Sequence, residues 1–191
     1  GPDYYEGGQT SIFDDDEIRR VNAFDWKNEF PAIFPSTSGR GKGEGGFDVV
    51  IGNPPYGAEF SEAATNYLKN KFQTFVWRGE SYLVFVEQAI KCLRVNGRLG
   101  YIIPDTYLNL GFTQSLRGFL LQNSKIEEIV ALPSNVFPGT SVDTTLLFAE
   151  RALESNAYHE CQVRVQIFNK KSAVQRIYKP SREFTISTKS W

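Results

Sequence analysis

The alternation of apolar and polar positions divides the chain into short elements. Phe47–Gly52 reads FDVVIG, a continuous apolar run between a Gly-rich spacer and two prolines. Runs of this length suit a strand buried on both faces. From Ser81 the apolar residues Leu83, Val84, Val86, Ala89, Ile90 and Leu93 recur at helical spacing. They predict a helix over Ser81–Val95, stopped by Asn96-Gly97. A weaker helix is expected within Ala58–Phe75 and another over Phe112–Leu121. RLGYII at Arg98–Ile103, closed by Pro104, predicts the next strand, followed by strands at Ile126–Leu132 and Thr144–Ala149. Gln162–Phe168 alternates polar and apolar residues, the mark of a half-exposed strand. Strands and helices alternate first, then strands follow alone. That order predicts an α/β layer fold with a mostly parallel central sheet and helices on its faces. Ligands of such sheets sit at the carboxyl ends of strands, and Asn53–Tyr56 lies at one.

Outside these elements the chain is less patterned. Residues 1–20 are polar, and Asp14, Asp15, Asp16 and Glu17 read as a solvated turn rather than a metal loop. Asn22–Phe34 (NAFDWKNEFPAIF) is dense in aromatics and breaks at Pro35. Ser36–Gly46 is a flexible spacer by composition. Its formal G-x-G-x-x-G at Gly41, Gly43 and Gly46 leads into a strand instead of out of one, so it is not a dinucleotide fingerprint. The tail beyond Pro180 is polar and expected to be a linker. The expected division is a polar segment at 1–20, a catalytic region at 21–170 and a linker at 171–191.

Composition narrows the class. The 191 residues are 41% hydrophobic and 14% aromatic, which suits a folded core. Lys and Arg number 21 against 22 Asp and Glu. The balance removes a whole-chain basic field, and with it a strong nonspecific grip on DNA by this piece alone. Cys92 and Cys161 fit no metal spacing and are expected as buried thiols in a reducing cytosol. No apolar run reaches membrane-spanning length, so no membrane partner is expected. His159, in a polar turn, reads as a surface residue.

The chemistry concentrates at Asn53-Pro54-Pro55-Tyr56. Two consecutive prolines have fixed φ and no N–H to donate, and Asn53, preceding one, is held extended. The result is a stiff turn that presents carbonyl oxygens. Asn53 adds a side-chain acceptor and Tyr56 an aromatic face. Two acceptors beside a stacking ring suit an exocyclic amine on a flat heterocycle. An adenine amine held through both N–H groups would have its lone pair directed at an electrophile, and orientation of this kind is worth several kcal/mol. The base would have to leave the DNA stack to reach the turn. The alternative reading is a structural Pro-Pro turn with a packing tyrosine.

FDVVIGNPPYG resembles the catalytic motif of N6-adenine-specific DNA methyltransferases, in the class that includes fused restriction–modification enzymes. NAFDWKNEFPAIF with its spacer, GESYLVFVEQAIKCLRVNGRLGYIIP, and LRGFLLQNSKIEEIVALPSNVFPGTSVDTTLLFAER are similar to the segments flanking that motif. The resemblance covers residues 21–151 or so. It implies a partial Rossmann-like methyltransferase fold with an antiparallel C-terminal strand. It also implies S-adenosyl-L-methionine as methyl donor, double-stranded DNA as partner, and a prokaryotic, cytoplasmic setting. Asn53 and Pro54 would hold the amine, with Pro55 in the same turn, and Tyr56 would stack on the base. Phe137, in VFPGTSV, matches the aromatic that packs on a flipped base, but it reads equally as a core or turn phenylalanine. Asn22 aligns loosely with an acidic position that contacts the donor's adenine, and Asp25 is the nearby acid. Asp25 also reads as a surface residue beside Trp26.

The departures matter too. The aromatic-x-Gly-x-Gly loop that binds the donor in this family is not found before Asn53, and no target-recognition region follows residue 151. The chain therefore reads as the catalytic part of a larger enzyme, inactive in isolation. Its Phe47–Gly52 strand would form an apolar sheet edge open to self-association. Related enzymes use the same motif shape on cytosine, RNA adenines and protein glutamines, and the motif leaves these alternatives open.

Overall fold

A computed structural model describes residues 24–34, 45–76, 80–134, 136–137, 142–152, 161–168 and 179–190. A single turn, α1 (Trp26–Glu29), precedes β1 (Phe47–Gly52). Next come α2 (Glu62–Lys71), α3 (Ser81–Cys92) and β2 (Leu93–Pro104). Two short 3-10 turns at Asp105–Leu108 and Gly111–Thr113 lead into α4 (Gln114–Asn123). Then β3 (Ser124–Ala131), β4 (Thr144–Arg151), β5 (Gln162–Ile167) and β6 (Arg182–Ser187) follow.

The strands form one sheet in the order β1-β2-β4-β3-β5-β6. β1 and β2 are parallel, as are β3 and β5. β4 runs antiparallel between β2 and β3, and β6 antiparallel on β5. β1, β2, β3 and β5 thus point the same way, and their carboxyl ends share one end of the sheet. This is the mostly parallel α/β sheet expected from the pattern, with β4 inserted against the grain.

Both long helices lie on one face. Leu83, Val86 and Ile90 of α3 and Leu116, Phe119 and Leu120 of α4 pack on Leu99, Tyr101, Ile103, Ile126, Ile129 and Leu147. Helical spacing in one partner and alternation in the other bring these positions together. Outside α3, Leu68 of α2 joins Phe60, Phe72, Phe75 and Val84. A smaller cluster of Val130, Leu132 and Phe168, with Ile102, Leu146 and Phe148, occupies the opposite face and contains no residue of a described helix.

The structure differs from the sequence reading at four places. β1, expected to be buried on both faces, is an edge strand whose Val49 and Ile51 are exposed, because no strand covers its outer side among the described residues. α3 ends at Cys92, not Val95: Leu93 turns extended and is fully buried. Asn96, at φ 62°, then makes the turn within β2. Gly97 fits there because a Cβ would meet Phe47 O at 2.8 Å. The stretch beyond Pro180, expected as linker, forms β6, joined to β5 by Arg164 Nε donating to Glu183 Oε1 at 2.7 Å. Its polar, exposed sequence carries little strand signal, and the pairing is supplied by β5. Finally, Cys92 is buried as expected, whereas Cys161 is only half-buried. The Asp14–Glu17 run and His159 lie outside the described residues.

Candidate active site

Asn53, Pro54, Pro55 and Tyr56 leave the carboxyl end of β1, the outermost strand of the sheet. Pro54 is buried, Asn53 and Pro55 are exposed, and Tyr56 is half-buried. Gly57, at φ 66°, reverses the chain with open space where a Cβ would stand. The turn is therefore rigid through its prolines and closed by a residue that tolerates left-handed backbone.

Tyr56 folds back over the end of β2. Its hydroxyl lies 2.6 Å from Asn53 Oδ1 and 2.9 Å from Ile102 O. Both are acceptors, and the hydroxyl has one proton, so it donates to one at a time. The Tyr56 ring meets Tyr82 edge to face, with centroids 6.3 Å apart and planes at 88°. Tyr82 in turn shares a 3.3 Å hydrogen bond with Thr106 Oγ1. Burial raises the pKa of Tyr56 and pushes that of Tyr82 up to about 12, so both phenols are neutral donors at ordinary pH.

Two further loops reach this end of the sheet. The turn Asp105–Leu108 follows β2, and the segment through Phe137 follows β3. They are tied together by Asp105 N donating to Asp143 O at 3.0 Å and by Ser134 Oγ donating to Asp143 Oδ1 at 2.8 Å. Phe137 is half-buried within that segment. Its strand lies three places from β1, roughly 14 Å at ordinary strand spacing. The fold thus brings Phe137 to the same sheet end as Asn53, with β2 and β4 between their strands.

Asp25 is placed differently. Its Oδ1 accepts from Lys27 N at 3.0 Å and from Asn28 N at 2.9 Å, capping α1. Trp26, Phe30 and Phe34 gather around Phe47, at the amino end of β1. Asp25 thus belongs to an aromatic hook at the end of β1 remote from Asn53. Asn22 lies outside the described residues. Among them no group of His, Cys, Asp or Glu could hold a metal ion.

Sequence reasoning missed Ser81, whose side chain is fully buried against this turn. Its Oγ donates to Pro55 O at 2.6 Å and accepts from Ala58 N at 3.2 Å. A serine opening a helix gave no hint of a contact reaching back to Pro55.

Comparison with known proteins agrees with this fold. A family model described as Eco57I restriction-modification methylase matches residues 3–137. The chain is similar to the type II restriction enzyme and methyltransferase RM.Eco57I of Escherichia coli, 30% identical over 116 residues, 58% of this chain and 12% of that protein. It is also similar to the type II methyltransferase M.TthHB8I of Thermus thermophilus, 34% identical over 110 residues, covering 53% of this chain and 25% of that protein. The chain thus spans a quarter or less of these relatives. In structure it resembles the modification subunit of a putative type I restriction enzyme from Vibrio vulnificus, with a TM-score of 0.57, 20% identity, and 75% and 34% of the two chains covered. A type IIG restriction endonuclease, BpuSI, gives a TM-score of 0.54 at 18% identity, over 75% of this chain and 19% of that one. The folds are alike, and the match of the family model over most of the chain decides the family: this chain belongs to the Eco57I restriction-modification methylases.

Proposed function

We propose that residues 47–137 hold the target base of an adenine-specific DNA methyltransferase, whose methyl donor is S-adenosyl-L-methionine. The observation that carries this reading is the exposed Asn53, set at the carboxyl end of β1 with its Oδ1 beside the Tyr56 hydroxyl. When the Tyr56 proton turns to Ile102 O, Asn53 Oδ1 is released for an incoming amine. Asn53 Oδ1 and the Pro54 carbonyl then accept the two N–H groups of the adenine N6 amine. The amine lone pair attacks the methyl carbon of the donor. The carbon–sulfur bond breaks, its electron pair stays on sulfur, and the amine proton leaves to solvent. Tyr56, with Phe137 from the loop after β3, gives the extruded base aromatic surface to offset lost stacking.

Family membership supports methyl transfer within a restriction–modification protein, and the preference for DNA adenine rests on the match of the flanking segments. RNA adenine or a protein glutamine amide would use the same two acceptors, and product analysis separates them. Asn22 and Asp25 remain candidates for donor contacts, with Asp25 free to act only through the carboxylate oxygen not used in its cap. We further propose that the 191 residues alone are inactive and self-associate. β1 has no outer strand partner among the described residues, and its Val49 and Ile51 side chains are 57% and 78% exposed.

In the intact protein, Asn53→Ala should lower the single-turnover rate of methyl transfer at least about a hundredfold, as loss of a transition-state contact does. Donor affinity, read by calorimetry, should stay unchanged. A near-normal rate in this variant would show that Asn53 does not hold the amine.

A further inference from the structure

We propose that Ser81, the first residue of α3, is a positioning residue that sets the catalytic turn at transfer distance. This rests on the amine-methylation reading above. The Asn53–Tyr56 turn emerges from an edge strand, so neighbouring strands support it on one side only. It must still hold two acceptors in fixed relation to a methyl group. The prolines stiffen it internally, but stiffness alone does not fix its place on the sheet.

Ser81 supplies that place. One hydroxyl bridges the two limbs of the turn, donating to Pro55 O at 2.6 Å and accepting from Ala58 N at 3.2 Å. Its side chain is fully buried, so water is not at hand to replace either bond. Gly57 lies between the two tethered residues, where the left-handed backbone at φ 66° would otherwise act as a hinge. The helix carrying Ser81 is itself fixed. Leu83 and Val86 are fully buried, and Glu87 accepts from Thr74 N at 2.9 Å and from Lys91 Nζ at 2.6 Å. Tyr82, next in sequence, braces the Tyr56 ring. Two adjacent residues of one rigid helix therefore hold the turn: Ser81 by its hydroxyl, Tyr82 by its ring. Pro55 has no N–H, which leaves its carbonyl as its only backbone hydrogen-bonding group, and Ser81 occupies it.

The test compares Ser81→Ala with Ser81→Cys and Ser81→Thr in the intact protein. Substrates are unmethylated bacteriophage DNA and labelled S-adenosyl-L-methionine. Ser81→Ala should slow single-turnover transfer by about ten- to a hundredfold, the scale of an ångström misplacement. Donor affinity should not change. Hydrogen exchange in the peptide spanning residues 53–60 should quicken at Ala58, a readout that needs no turnover. Ser81→Thr, which keeps the hydroxyl, should restore both rate and protection. Ser81→Cys keeps the shape but bonds weakly, and should resemble Ser81→Ala; it carries the comparison if Ser81→Ala does not fold. Unchanged exchange at Ala58 in either hydroxyl-free variant overturns the proposal. So does wild-type transfer rate in a folded one, or a loss that Ser81→Thr shares equally. If the wild type transfers no methyl to DNA while Ala58 still responds to Ser81, the functional reading fails and the tether stands.

Discussion

A single phenolic proton decides the state of the turn. Tyr56 stands within hydrogen-bond distance of Asn53 Oδ1 and of Ile102 O, and whichever it leaves is open to another donor. In the proposed reading, Asn53 Oδ1 is kept satisfied by the phenol until an amine replaces it, which avoids stranding a polar group. Its neighbour Tyr82 has the opposite duty, being 1% exposed and permanently engaged. Burial raises its pKa from 10.0 to about 12, so the folded state holds this proton more tightly than the unfolded chain. That contribution is complete below pH 10 and disappears as pH rises towards 12, and two pH units correspond to about 3 kcal/mol. Urea unfolding of the intact protein across this window should show the loss, and Tyr82→Phe should remove about 3 kcal/mol of it. An identical pH slope in the variant would contradict this placement of Tyr82. At this scale the sequence was legible for the place of the Asn53–Tyr56 turn at the carboxyl end of β1. It was not legible for Ser81 or Ile102 O, which reach the site through the fold from 26 and 46 residues away.

Elements were legible where their own periodicity met the packing they finally make. α3 shows this, since each apolar position that predicted it is buried, Leu93 just beyond its end included. That end was misread because Leu93 satisfies a helical pattern as well as a strand, and only its pairing with Phe47 decides. β6 was missed because its charges are exposed and its partner is supplied by another strand. Within α3, Glu87 would look like a surface residue by type, yet it is fully buried. It receives Thr74 N, Gln73 N at 3.3 Å and the Lys91 ammonium, so it joins the segment after α2 to α3. Glu87→Ala leaves two amides without this acceptor and should destabilise the protein by about 3 kcal/mol, read from the urea midpoint. Lys91→Ala should cost less than 1 kcal/mol, because the ammonium is half-exposed and its loss leaves the carboxylate with two donors. Equal costs for the two variants would show that the ion pair, not the loop clamp, is what Glu87 provides.

For the molecule as a whole, the α/β class was legible from the order of apolar runs and helical periodicity. The place of β4 between β2 and β3 was not, since strand order depends on which edges meet in three dimensions. The sheet is covered by helices on one face, while β1 offers Val49 and Ile51 at an edge with no strand partner among the described residues. Edges of this kind recruit strands. The 191-residue chain should therefore sediment as a concentration-dependent oligomer, and Ile51→Lys should return it to monomer; a wild-type monomer at every concentration would contradict this. The proposed role of the turn after β1 is to present an adenine amine to a methyl donor. The most direct measurement incubates the intact protein with labelled S-adenosyl-L-methionine and unmethylated double-stranded DNA, then identifies the labelled nucleoside by mass spectrometry. The account predicts N6-methyladenine and its loss in Asn53→Ala; label on cytosine, or transfer unaffected by Asn53→Ala, would contradict it.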